Sequence, residues 1–358
     1  MMTIIGIAVV LGGVIFFHEL GHYTFAKLTG MRVETFSIGF PPKLLTKKIG
    51  ETEYCLSAIP LGGYVKVSGV IDESLDVEGA TNTKDDPKSY SSKKNWQKML
   101  YITGGVIFNL LLAIIVFTLL TFHNGVTEPE NTTILGEVVP EYPAASAGLQ
   151  KGDEILAING TEVADWEAMT KIIHQFPKDT ILVTWQRGSE SFEQKIPTIM
   201  NKIMANGEFQ DVGMIGISPQ YTKRSAGFFE AFGIGFRQTF YWLKITFVSL
   251  KAVITGAESV KNLGGPIMIA QLAGESARNG LATLLGFMAI ISVNLAFVNI
   301  LPIPALDGGH LVVTLIESAL RRELTDNTKI RIQQVGLALI LMLTVLVIFN
   351  DISRWFVG

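Results

Sequence analysis

Long apolar runs, each interrupted by a few polar residues, set the pattern of this chain. Four have the length of a membrane span: Ile4 to about Ala26, Met99 to Phe122, about Leu281 to Leu306, and Val335 to Phe349. The last is short but extendable at both ends. A helix needs about 20 apolar residues to cross hydrocarbon, with a range near 17–25. A fifth run, Phe228 to Ile254, carries Glu230, Arg237, Lys244 and Lys251. Its three basic residues recur at heptad spacing and form a polar stripe. That predicts a helix lying in the membrane interface, not a fifth crossing.

Between the first two spans the period changes. Arg32 to Phe40 alternates in part, and Pro41-Pro42 is expected to break the strand. Glu51 to Ile59 and Gly63 to Val67 follow, separated by Pro60-Leu-Gly-Gly. The pattern predicts a small antiparallel sheet of hairpins. Open sheet edges cannot face lipid, so any part at membrane depth must line a protein cavity. Residues 70–95 read as a polar loop.

From Val126 to about Met200 the composition is that of a soluble domain. Ala144 to Gly160 holds a short helix, a turn, a strand and an Asn-Gly turn. Asp165 to Phe176 reads as a helix starting at an Asp cap. Ile181–Arg187 and Ser191–Ile196 form a hairpin around Gly188. The chain therefore divides into a membrane part at 1–125, with the sheet at 32–68, and an outer domain at 126–222. A connector with the interfacial helix covers 223–280, and a second membrane part covers 281–358.

Bulk composition agrees with a membrane protein. Hydrophobic residues make up 48% and charged residues 17% of 358, with mean hydropathy +0.38. Soluble domains carry about 25% charge. A net charge of -3 gives no reason to expect a nucleic-acid partner. The single cysteine, Cys55, excludes an intrachain disulfide framework and a multi-cysteine zinc site; it reads as a packing residue. The first run has no Lys or Arg before it and no A-x-A site, so it reads as an uncleaved span. Lysines between Tyr23 and Lys98, and the group Arg321, Arg322, Lys329 and Arg331, predict two cytoplasmic loops. Both termini and the outer domain then face outward.

The polar interruptions carry the chemistry. His18, Glu19 and His22 form H-E-x-x-H inside the first span. Positions i and i+4 share a helix face, so both imidazoles can reach one metal ion, with Glu19 beside them as a base. Two histidines on an ordinary helix would be the bland alternative. Ionisable residues in a bilayer are costly and mark function. Catalytic zinc usually has three protein ligands and an open position. The third ligand is expected from Asn299-Ile-Leu-Pro-Ile-Pro-Ala-Leu-Asp-Gly-Gly-His310. Pro302 and Pro304 remove amide donors, and Gly308 and Gly309 permit unusual backbone angles. Such irregularity at membrane depth belongs around a buried site. Asp307 is preferred over the rival His310, because it completes a known His₂-carboxylate set. A helix kink capped by Asp307 is the simpler alternative.

These motifs, in this order, resemble the site-2 protease family of intramembrane zinc proteases, in its bacterial branch with an extracytoplasmic PDZ domain. Gly104-Gly105-Val-Ile-Phe-Asn109, Gly62-Gly63-Tyr64-Val65-Lys66, Leu263-Gly-Gly-Pro266 and the 144–160 stretch extend the match. Some relatives carry two tandem PDZ domains; this chain has one. The resemblance implies a polytopic α-helical membrane protein with four transmembrane helices, a membrane re-entrant β-hairpin sheet and one PDZ-like α+β domain. It implies a multi-pass plasma-membrane protein with its active site near the cytoplasmic side. His18, His22 and Asp307 would hold one Zn²⁺, with Glu19 as general base. Asn109 would stabilise the tetrahedral oxyanion, unless it only bonds a neighbouring helix. Asn294 and Asn299 would grip substrate backbone, near the break at Pro302 and Pro304. The sheet, with Gly62, Gly63 and Tyr64, would clamp an unwound substrate by β-augmentation.

The implied substrates are transmembrane segments of single-span proteins, of anti-sigma-factor or remnant signal-peptide type, cut first by an upstream site-1-type protease. The outer domain would bind a peptide C-terminus along Ile134–Val138, or act as a gate. A non-enzymatic PDZ scaffold and a divalent-metal transporter are the competing readings.

Overall fold

A computed structural model describes residues 2–70, 86–205, 208–259 and 264–357. Most of the expected 70–95 loop, and Leu263 of the Leu263–Pro266 stretch, lie outside them. The chain forms two units: Met1–Thr121 with Phe228–Gly358, and Phe122–Gly227.

In the first unit, α1 (Met2–Leu28), α3 (Gly104–Asn124), α8 (Leu281–Ile300) and much of α10 (Asp326–Val357) are long and apolar enough to cross a membrane. The second apolar run begins as a separate short helix, α2 (Asn95–Ile102), ahead of α3. Small residues bring these helices close. A Cβ on Gly21 would run into the Gly104 backbone, and one on Gly6 into the Ala273 backbone of α7 (Pro266–Arg278). Val10, Val14, Leu112, Ala113, Phe117, Met288 and Val293 form the core between α1, α3 and α8. α6 (Phe228–Ile254) packs Ala231, Gly235 and Thr239 inward and leaves Arg237, Lys244 and Lys251 exposed. Gly235 abuts Thr118 of α3, and Thr246 donates to Asn294 Oδ1 of α8 at 2.6 Å. This helix therefore has a face seated on two spans.

The third run departs from expectation. Helix α8 stops at Ile300, six residues short of Leu306, and Leu301 is extended at φ -61°, ψ 144°. Residues preceding proline avoid the helical region, and proline cannot donate to the helix ladder. A non-helical stretch follows until α9 (Asp307–Leu320) begins. Here the glycines are required by contact. A side chain on Gly308 would meet the Ile300 and Leu301 carbonyls, and one on Gly309 would meet Ile303.

The sheet consists of β1 (Val33–Ile49) and β2 (Thr52–Val67). Pro41-Pro42 interrupts the ladder but not the strand, which corrects the expected break. Pairing skips from Phe40↔Ile59 to Lys43↔Ser57, because the two prolines offer no donors. Thr35–Ile38 is paired twice, with Gly63–Lys66 and with Glu53–Leu56.

The second unit has a four-stranded sheet of order β6-β5-β7-β8, from Thr161–Glu162, Glu154–Ile158, Thr180–Arg187 and Glu190–Pro197. Helix α5 (Trp166–His174) covers it, capped by Asp165 Oδ1 accepting from Ala168 N at 2.8 Å. Its core is apolar: Leu135, Ile155, Ile158, Met169, Ile181, Val183 and Trp185 are almost fully buried. Buried Asp153 is held by Arg187, whose Nε and Nη2 donate to it at 2.6 and 2.7 Å. That carboxylate raises the already high Arg187 pKa further. The hairpin Ile199–Ala205 with Glu208–Met214 was not legible in the sequence pattern. The strand Leu135–Val138 pairs with Ile217–Pro219 and borders a hollow of about 670 Å³.

Candidate active site

Helix α1 puts His18 and His22 on one buried face, and the first turn of α9 brings Asp307 to them. Their Nε2 atoms lie 3.1 Å apart, and Asp307 Oδ2 lies 3.4 Å from each. Among the described residues this is the one His/Cys/Asp/Glu group compact enough for a metal ion, and His310 is not part of it.

Hydrogen bonding on the far side of the rings fixes what faces the centre. His22 Nδ1 donates to the Tyr101 carbonyl at 3.0 Å, so its Nε2 carries a lone pair. His18 Nδ1 lies 3.2 Å from the Asn109 amide, whose Oδ1 is buried without a hydrogen bond. Turning that amide over lets Oδ1 accept from Nδ1–H, leaving His18 Nε2 as a second lone pair. Asp307 Oδ2 is also buried and accepts no hydrogen bond. Three atoms able to donate electron pairs thus converge, each 3.1–3.4 Å from the others. Tetrahedral zinc at about 2.0–2.2 Å from its ligands needs separations of about 3.3–3.6 Å between them. The donor set and its spacing fit that ion.

Two close approaches make the geometry possible. Gly105 of α3 lies against both imidazoles, where any side chain would collide with them. Gly63 of β2 brings its backbone against Glu19, with a Cβ there only 3.1 Å from Glu19 Cγ. Neither role could be read from the sequence, although both glycines sit in stretches that carried the family resemblance.

A cavity of about 650 Å³ opens from the site. Glu19, His22, Asn299, Pro304, Asp307 and His310 line it, as do Gly63–Lys66 of the sheet. Its far end is charged. Lys98 is buried and pairs with Glu323 at 3.1 Å, while Lys329 pairs with Glu317 at 2.8 Å. Burial pushes the Tyr90 phenol in this wall up to about 12, so it stays neutral.

Not every expected residue reaches the cavity. Asn109 is fully buried, and its amide lies 3.2 Å from His18 Nδ1, the ring nitrogen remote from Asp307. Asn294 faces α6 and accepts from Thr246. Gly62 backs onto the Phe40 ring, and Pro302 is exposed at the break. Asn299 does reach the centre, with Nδ2 3.3 Å from His18 Nε2.

Residues 6–343 match the sequence profile of peptidase family M50. The chain belongs to that family. A relative from Clostridium perfringens, whose name proposes a zinc metalloprotease, is 34% identical, with 98% of each chain covered. The zinc metalloprotease RasP of Geobacillus kaustophilus is 29% identical, over 99% of this chain and 98% of its own. A PDZ domain from an SdrC-like protein of Listeria monocytogenes matches 26% of this chain and 93% of its own, at 21% identity and TM-score 0.21. The M50 protein is thus a zinc-dependent metalloendopeptidase of a membrane family, which sets aside the scaffold and transporter readings.

Proposed function

We propose that this M50 protein cuts peptide bonds within the transmembrane segments of single-span proteins. The carrying observation is that His18 and His22, on a helix apolar enough to span, meet Asp307 at the start of α9, beside the Gly63–Lys66 stretch of the sheet. A helical substrate hides its amides in its own hydrogen bonds. The Gly63–Val67 segment, which pairs with Val33–Ile38, can offer replacement bonds to an unwound strand next to Glu19. On this reading β1 and β2 form a sheet that re-enters the membrane.

His18, His22 and Asp307 would hold one zinc ion. Bound there, zinc supplies a water of pKa about 7 and polarises a carbonyl. Glu19 accepts the proton of the attacking water and passes it to the leaving amide nitrogen. Asn299 grips a backbone carbonyl beside the ligands. Asn109 orients His18 instead of touching substrate. Lysine-rich cytoplasmic loops, outward termini and an outward second unit remain the topology favoured by charge. The second unit, read as PDZ-like from its helix, strand and turn order, would gate access or bind a C-terminus beside Leu135–Val138. Substrates first trimmed by a site-1-type protease, such as anti-sigma factors, or remnant signal peptides would suit such a gate.

The test is Glu19→Gln in detergent or proteoliposomes with a model transmembrane substrate. Zinc content should stay at the wild-type level while cleavage falls by about 10²–10⁴-fold. Unchanged turnover would sink the proposal.

A further inference from the structure

A buried ammonium group stands at the charged end of the cavity. Lys98 of α2 is 4% exposed and lines the same cavity as Glu19, His22 and Asp307. Its helix also serves the ligand set: Tyr101, about one turn later, accepts from His22 Nδ1 at 3.0 Å. Three residues of helix advance about 4.5 Å, so Lys98 is rooted close to the ligands. A buried charge is costly unless an opposite charge meets it. Lys98 Nζ meets Glu323 at 3.1 Å and lies 5.2 Å from the centre of the Tyr90 ring. The two carboxylates at this end are held differently. Glu317 on α9 is 8% exposed and accepts from Leu324 N and from Lys329 Nζ, both at 2.8 Å. Glu323 belongs to the connector between α9 and α10, and its side chain is 51% exposed. Among the described residues, Lys98 is the partner of its carboxylate. Glu317 is therefore fixed in place, whereas Glu323 can turn out to water and leave the ammonium to another anion.

We infer that Lys98 is a specificity-determining residue that binds an Asp or Glu side chain of the substrate, and that Glu323 holds that place until the substrate arrives. This rests on the proposed site reading. Exchanging one carboxylate for another keeps the buried ammonium paired throughout, so the exchange avoids the cost of a stranded charge. A substrate with a neutral residue at that point makes no such exchange and forgoes the charge-assisted bond. An unwound strand advances about 3.3 Å per residue, which puts the acidic residue about two to four positions from the scissile bond.

The experiment uses the full-length protein in proteoliposomes and a series of model transmembrane substrates. A single Glu is walked along the segment around the scissile bond, and each substrate is paired with its Gln twin. The readout is the ratio of kcat/KM between twins. In the wild type the Glu substrate should be favoured by about tenfold at one position, the gain expected of a charge-assisted hydrogen bond. Lys98→Met keeps the alkyl stem and should bring that ratio to parity, while Lys98→Arg should retain a preference for Glu. Glu323→Gln removes the internal competitor, so the preference should rise at the same position, through a lower KM for the Glu substrate. A merely structural role for the pair would move both twins together. Parity at every position in the wild type would overturn the inference, as would an undiminished preference in Lys98→Met or a weaker one in Glu323→Gln. Should Lys98→Met lose zinc through misfolding, the exposed Glu323→Gln change decides alone. Unchanged turnover in Glu19→Gln would strike the site reading itself, whichever way the twin ratios fall.

Discussion

The two units use burial in opposite ways. In the second unit the interior is apolar: Ile155, Ile158, Met169 and Ile181 are almost fully enclosed, and its buried Asp153 is matched by Arg187. In the first unit the enclosed residues include His18, His22, Asn109 and Ser292, while Leu341, Met342, Val345 and Phe349 of α10 are exposed. Water drives the first pattern by expelling apolar surface. Lipid removes that drive, so helices are held by small-residue contacts and polar groups gather where function needs them. Gly21 on Gly104, and Ser292 donating to the Asn109 carbonyl at 2.8 Å, are such contacts.

Substitutions can break this contrast. The largest effect is expected from Asp307→Ala, which removes the only carboxylate of the metal group. Zinc content of the purified protein should drop and cleavage should fall to background, with the second unit's melting unchanged. Retained zinc with full activity would mean that the ligand set is wrong. A smaller and opposite effect belongs to Ile158→Ala, in the apolar core. It should destabilise the second unit by about 2–5 kcal/mol, read by denaturant unfolding, with zinc content unaffected. Zinc loss there would show that the units are energetically linked.

The slightest effect concerns pH. Burial holds the His174 imidazole, in the last turn of α5, below its ordinary value. The unfolded chain therefore takes up this proton first. Stability from this group is full above about pH 6.5, declines as pH falls through that value, and levels off once the folded form is also protonated. His174 is partly exposed, so the decline should be small. Thermal melts of the second unit in wild type and His174→Gln should differ in slope between pH 7 and 5; identical slopes would remove the claim.

Much of the site was legible because it is local. H-E-x-x-H places two imidazoles on one face at a spacing set by the helix itself. Asp307 was legible because a carboxylate beside Pro302, Pro304 and two glycines is out of place in an apolar run. The second unit's Asp165 cap and Asn159-Gly160 turn follow from local backbone preference, with φ 50° and 75° at the turn. By contrast, the sequence places Asn109 at the oxyanion or in a helix contact, and Asn294 on the substrate, without deciding either. A helix has several faces, and sequence cannot say which one meets the cavity.

Sequence alone therefore decided most of the elements, though not the Ile199–Met214 hairpin, along with the apolar runs and the types of the three converging side chains, since each depends on neighbours a turn or less away. Tertiary structure decided which polar side chains face the site: Asn299 and His310 toward it, Asn109 against His18 Nδ1, Asn294 toward α6. It also revealed Gly105 and Gly63 as the points of backbone approach. Those outcomes depend on the rotation of each helix about its axis, and that is set by packing between residues far apart in the chain.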